Sequence, residues 1–189
     1  MKKTLKDLTK EDWDTLFPIE LVDYDPYWKK LYEAEKGQII NQIGDKIIRI
    51  EHVGSTSIPA IKAKSYIDIS IELSEESLFS EDIIDGLTNL GYSFFRQADK
   101  KADYMIFVKG YNPAGKKEQI YHIHACPPGH EMLHQITFRD FLIANRERAK
   151  EYELLKTELA SRYKNDRTGY RKAKSHFIAE TIMMAEENI

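Results

Sequence analysis

The sequence predicts an α/β (α+β) fold: a mixed β-sheet flanked by helices, with a helical segment at the C-terminus. Three observations predict it. Short runs with two-residue alternation are interleaved with helical periodicity as far as about residue 130. Beyond that point the pattern is helical almost to the end. The order of elements, α-β-α-β-β-α-β-β-β-α-α-α, departs from the strict βαβα alternation of a doubly wound parallel sheet. The expectation is one domain over 1–189, with a core at about 19–130 and the helical segment at about 131–189.

Each element has its own signal. Thr9 to Asp12 has the spacing of a capping box, so a short helix is expected up to Phe17, before Pro18. Ile19 to Val22 reads as a brief strand. Asp25-Pro26 opens a helix as N-cap and N1 proline, with Trp28, Leu31, Tyr32, Ile39, Ile40 and Ile43 on its apolar face, and Gly44 ends it. Ile47 to Val53 reads as a strand stopped by Gly54-Ser55-Thr56-Ser57. Tyr66 to Leu73 alternates, with Ile67, Ile69, Ile71 and Leu73 on one face and Asp68, Ser70 and Glu72 on the other. Ser80 caps a helix through Leu90 that Gly91 closes. Tyr92 to Arg96, Tyr104 to Lys109 and Gln119 to Ala125 read as strands, the last two joined at Asn112-Pro113-Ala114-Gly115. Met132 to Tyr163 is helical with a break near Asn145, and a last helix runs from about Thr168 to Glu187.

Composition narrows the function. Of 189 residues, 42% are apolar and 31% charged, an ordinary globular balance. With 28 basic and 31 acidic residues the net charge is −3, which gives no footprint for general nucleic-acid binding. Cys126 is the one cysteine, so no internal disulfide forms. The basic start at Met1-Lys2-Lys3 leads into no apolar stretch of a signal peptide, and no run reaches the ~20 apolar residues of a membrane span. A cytoplasmic location and no membrane partner are expected.

Four groups of residues can carry chemistry. Gly54-Ser55 at a strand end leaves backbone N–H groups open to a phosphate. Thr56 and Ser57 add hydroxyls, Lys64 a positive charge, and Asp68 a carboxylate for a bridging cation. The plain alternative is a turn followed by a solvent-facing Asp. His122 and His124 share one strand face, as two ligands of one metal would, or one is a buried hydrogen-bonding group and the other faces water. Arg139, between Phe138 and Phe141, either clamps a phosphate or carboxylate or ties its helix to the sheet. Tyr170 and Lys174, one helical turn apart and joined by Arg171 and Lys172, either reach a phosphate or form a solvated basic face.

Ile50-Glu51-His52-Val53-Gly54-Ser55-Thr56-Ser57-Ile58-Pro59, followed by Lys64 and Ile67-Asp68-Ile69, resembles the signature of the GrpB family. His122-Ile123-His124, Phe138 to Leu142, Tyr152 to Lys156, and Tyr170 with Lys174 extend the resemblance from about Val22 to the end. It implies the nucleotidyltransferase superfold, in a family that also occurs fused to dephospho-coenzyme A kinase. In active members of that superfold, Gly-Ser holds a triphosphate, two carboxylates two residues apart bind divalent metals, and a third acid comes from a later strand. Gly54, Ser55 and Asp68 match. Ser70 stands at the second carboxylate position, and His122 or His124 at the third. Glu72 lies one strand step too far to replace Ser70.

The resemblance implies Asp68 and His124 as catalytic residues. Gly54, Ser55, Thr56, Ser57, Lys64, His122, Arg139, Tyr170 and Lys174 would bind the substrate, and Asp68, His122 and His124 a metal. A site with histidines favours Mn²⁺ or Zn²⁺ over Mg²⁺, or no metal. Three functions are compatible: nucleotidyl transfer from a nucleoside triphosphate to an acceptor; binding of a nucleotide, coenzyme A-like or other phosphorylated ligand without catalysis; and metal-dependent hydrolysis using His52, Asp68, His122 and His124. The C-terminal helical face is compatible with a homodimer.

Overall fold

A computed structural model describes residues 4–96 and 103–187. The elements are α1 (Lys10–Leu16), α2 (Tyr27–Ile43), β1 (Ile47–Val53), β2 (Tyr66–Leu73), α3 (Glu81–Asn89), β3 (Ser93–Phe95), β4 (Met105–Lys109), β5 (Ile120–Cys126), α4 (His134–Ala144), α5 (Arg146–Arg162) and α6 (Arg167–Glu186). Five strands make one sheet in the order β1-β2-β5-β4-β3. β2 and β5 run parallel, while β1–β2, β3–β4 and β4–β5 are antiparallel. The mixed sheet flanked by helices is the architecture that the sequence predicts.

Local chemistry sets the boundaries. The Thr9 hydroxyl accepts from Asp12 N at 3.2 Å, and the Asp12 carboxylate accepts from Thr9 N at 3.0 Å, so the predicted capping box opens α1. Asp25 Oδ1 accepts from Tyr27 N at 2.8 Å, and Pro26 is the N-cap of α2, one residue later than the sequence predicts. Asn145, at φ −117° and ψ 82°, leaves the helical region and separates α4 from α5. The hairpin between β4 and β5 needs Gly110: at φ 88° a side chain is strained, and a Cβ would lie 1.9 Å from Gln119 O. The strand expected over 19–22 is absent. Val22 forms a single bridge to Ala63, with bonds of 2.9 and 3.0 Å, and Ile19 N donates to Lys164 O. This segment crosses other loops instead of lying along a strand, so its apolar residues fill gaps without a ladder.

The two faces of the sheet are covered differently. Ile67, Ile69, Ile71 and Leu73 of β2 join Tyr121, Ile123 and Ala125 of β5 under α2 and α3, which contribute Trp28, Tyr32, Ile39, Ile43, Ile83 and Leu87. Each fully buried aliphatic side chain there stabilises by about 1.5–3 kcal/mol. The opposite face meets the C-terminal helices. Phe138 and Leu142 of α4 pack with Ile58, Ile61 and Tyr152, and α6 packs on α4 and α5. Lys156 of α5 is buried and donates to Lys62 O, while Glu153 accepts from Lys62 N, so α5 is fastened to the loop before β2. Among the described residues no helix is long and apolar enough to cross a membrane.

Candidate functional site

The parallel pairing of β2 with β5 sets Asp68 beside His122 and Ser70 beside His124. All four side chains stand on the face away from α2 and α3, because alternate residues of both strands fill the core. One ligand atom from each of Asp68, His122 and His124 lies within 4.8 Å of the others. Asp68 Oδ1 is 3.0 Å from His122 Nδ1, and His122 Nε2 is 2.8 Å from the Tyr111 hydroxyl. Arg167 donates from Nη2 to that hydroxyl at 3.0 Å and from Nη1 to Phe17 O. Burial raises the Tyr111 phenol, so it keeps its proton at neutral pH. Its oxygen accepts from Arg167, its proton goes to His122 Nε2, and His122 then donates from Nδ1 to Asp68.

The charges fit this arrangement. Burial opposes ionisation of Asp68, but the His122 hydrogen bond and nearby positive charge, Lys64 included, hold its carboxyl below the usual range. His124 is pushed down to about 4 by burial, so it is neutral at pH 7 and has a lone pair to offer. Among the described residues its Nδ1 and Ser70 Oγ are buried without a hydrogen-bond partner. They sit on neighbouring positions of the two strands. An unpaired buried polar atom is costly. A divalent metal would suit this donor set, a carboxylate and two imidazoles, one of which carries the unpaired nitrogen.

The Gly54 corner closes over Asp68. Gly54 has φ 73°, and a Cβ there would meet Asp68 Oδ2 at 2.3 Å, so only glycine lets the turn lie on the carboxylate. Ser55 is half-buried at the start of a single 3₁₀ turn over Ser55–Ser57. The Ser57 hydroxyl donates to Gly54 O at 2.6 Å. Thr56, expected to contact substrate, is instead structural. It is buried and donates to Tyr66 O at 2.8 Å, and accepts from His52 Nε2 at 3.0 Å.

Two further expectations change. Arg139 ties α4 to β1: it donates to Glu51 Oε2 at 2.9 Å and His52 O at 2.7 Å, and pairs with Asp140. Glu51 shares the face of Ser70, but burial notwithstanding, Arg139 and Arg49 hold its carboxyl low, which makes it an ion-pair partner. His52 faces the other way. It pairs across strands with Ile69 and stacks on Tyr32 of α2 at 4.8 Å. The four-residue hydrolytic set therefore loses His52, since that imidazole lies across the sheet from His122.

Lys64, Tyr170 and Lys174 come together elsewhere, around a cavity of about 270 Å³ between α1 and the start of α6 that Arg167 and Arg171 also line. Sequence reasoning missed Tyr111 and Arg167. Tyr111 follows a strand-ending glycine and carries no pattern. Arg167 had a signal, since it precedes Arg171 and Lys174 at i+4 and i+7 on one helix face.

Comparisons with known proteins agree with this architecture. The family model described as GrpB protein matches residues 18–183. A UPF0157 protein of Pseudomonas aeruginosa is 33% identical over 164 residues, covering 87% of this chain and 66% of its own length. Another UPF0157 protein, from Bacillus subtilis, is 31% identical over 171 residues, covering 90% of this chain and 47% of its own. The chain thus spans just under two thirds and about half the length of these curated relatives. The crystal structure of GrpB from Enterococcus faecalis superposes with a TM-score of 0.76 at 24% identity, over 89% of this chain and 98% of that one.

Proposed function

This chain belongs to the GrpB family, and we propose that it binds a nucleotide or similar phosphorylated small molecule at a single divalent-metal centre held by Asp68, His122 and His124. The observation that carries this reading is the convergence of those three side chains beside the Gly54 corner, with His124 Nδ1 buried and unpaired among the described residues. The nucleotidyltransferase-like fold supports a phosphate on the Gly54-Ser55 backbone. Two imidazoles favour Zn²⁺ or Mn²⁺ over Mg²⁺. When bound, the ion would act as a Lewis acid on a phosphoryl oxygen.

The protein's own residues do the positioning. Asp68 is ionised and His124 neutral at pH 7, the states that ligation needs. Coordination through His122 Nδ1 would leave the ring proton on Nε2, where the Tyr111 oxygen accepts it. The Tyr111–His122 bond would then run the other way, with Arg167 still orienting the phenol.

A second reading is nucleotidyl transfer from a nucleoside triphosphate to an acceptor. Gly54, Ser55 and Asp68 favour it. Ser70 stands where a second carboxylate would be, and Glu51, its cross-strand neighbour, is neutralised by Arg139. Binding at one metal is therefore the stronger reading.

The test is titration with Co²⁺ followed by its visible absorption, then calorimetry with ATP in the presence and absence of Mn²⁺. Wild type should take up one ion per chain and bind ATP more tightly with it, while Asp68→Asn should lose at least about tenfold in metal affinity. Metal uptake equal in wild type and Asp68→Asn would sink the reading. Release of pyrophosphate on adding candidate acceptors would favour the second one.

A further inference from the structure

The cavity between α1 and the start of α6 belongs to none of the metal ligands, and its chemistry is distinct. Arg167, Arg171 and Lys174 fall on one face of α6, at i, i+4 and i+7, and Lys64 reaches in from the loop before β2. Asp14 is the carboxylate in the wall. Both its oxygens are engaged: Oδ2 accepts from Lys10 at 2.6 Å and Oδ1 from Arg167 N at 3.1 Å. Among the described residues Lys64, Arg171 and Lys174 have no ion pair. The Lys64 amine rests over the Tyr66 ring at 4.5 Å, and the Lys174 amine over Tyr170 at 4.5 Å and, further off, Tyr152 at 6.0 Å.

We propose that this cavity is a metal-independent binding site for a dianionic phosphoryl group, a phosphate monoester, gripped by Lys64, Arg167, Arg171 and Lys174. Like charges facing one space repel unless a counter-charge lies between them. Their fields already converge: burial, then Arg167, Lys174 and Arg171, bring the Lys64 amine down to about 7. Donors arrive from the helix face and from the loop opposite, an arrangement that suits a tetrahedral group with three terminal oxygens better than a planar carboxylate. Arg167 is held in place by Tyr111 and Phe17 O, so its remaining N–H groups are pre-oriented. The volume of about 270 Å³ suits a phosphate with a small organic group resting on Trp13, Ile19 and Tyr170.

The experiment is calorimetry of the full chain, stripped of metal with EDTA, against inorganic phosphate and phenyl phosphate. Two variants accompany wild type: Lys64→Met and Arg171→Glu. Arg171 is exposed, so its charge reversal leaves the core intact, and circular dichroism verifies the fold of each protein. Saturable binding is expected, weakened about tenfold or more in Lys64→Met and Arg171→Glu. The absence of saturable binding by wild type, or binding by Arg171→Glu equal to wild type, would each overturn the proposal. Because it needs no metal, its failure is separable from failure of the Co²⁺ titration.

Discussion

On β2 and β5, the two faces of the same strands follow opposite rules. Toward α2 and α3, Ile67, Ile69, Ile71, Leu73, Ile123 and Ala125 have no exposed surface and no polar atom to satisfy. One residue along, Asp68, Ser70, His122 and His124 form a polar row in which two buried atoms lack partners among the described residues. The first face fixes the strands in space. The second uses that rigidity to hold polar groups in positions that their own contacts do not fully satisfy, as a preorganised binding site requires.

The comparison can be broken most directly from the core side. Ile69→Ala should cost about 2–5 kcal/mol by denaturant unfolding, since its fully buried neighbours cannot collapse into the space. A loss below about 1 kcal/mol would mean that this face is not the rigid one. Next comes acid. His52, on the core side, is pushed by burial from 6.5 to about 4. Unfolding restores its ordinary value, so between those two pH values the unfolded chain binds a proton that the folded chain refuses. Its contribution is therefore fully present above pH 6.5 and lost as pH falls toward 4, on the order of 3 kcal/mol in all. His52→Asn should flatten that part of the stability profile, and an unchanged acid slope would rule His52 out as the cause. The smallest effect belongs to the polar face. Among the described residues the buried Ser70 hydroxyl has no partner, so Ser70→Ala should stabilise the protein by about 1 kcal/mol. A loss of stability would show that the hydroxyl is bonded after all.

The strand faces were legible because a period of two assigns sides without any knowledge of neighbours. That is why Asp68 and the two histidines could be placed on one face of their own strands. What single strands do not contain is their pairing. Nothing in Tyr66 to Leu73 or in Gln119 to Ala125 says that they lie side by side in parallel with Asp68 next to His122. Arg139 and Thr56 looked like ligand contacts because their residue types bind anions. Their partners, Glu51 and His52 O for one, Tyr66 O and His52 for the other, appear only once the chain folds back on itself. Tyr111 was invisible, and Arg167 legible only as one cation of a basic helix face, for the same reason: each matters through the other and through His122. Ile19 to Val22 misled because apolar residues fill inter-element gaps as readily as they form strands.

The parallel junction has a consequence for assembly. β1 and β2 come from one stretch of chain, β3, β4 and β5 from a later one, and each set is joined internally by antiparallel neighbours. The halves meet along β2 and β5 alone, and Asp68 stands on one side of that seam while His122 and His124 stand on the other. Anything that grips all three is a staple across the strand pairing whose partners are most distant in sequence. Its affinity adds directly to the cohesion of the two halves, by about 2.7 kcal/mol when it is present at a hundred times its dissociation constant.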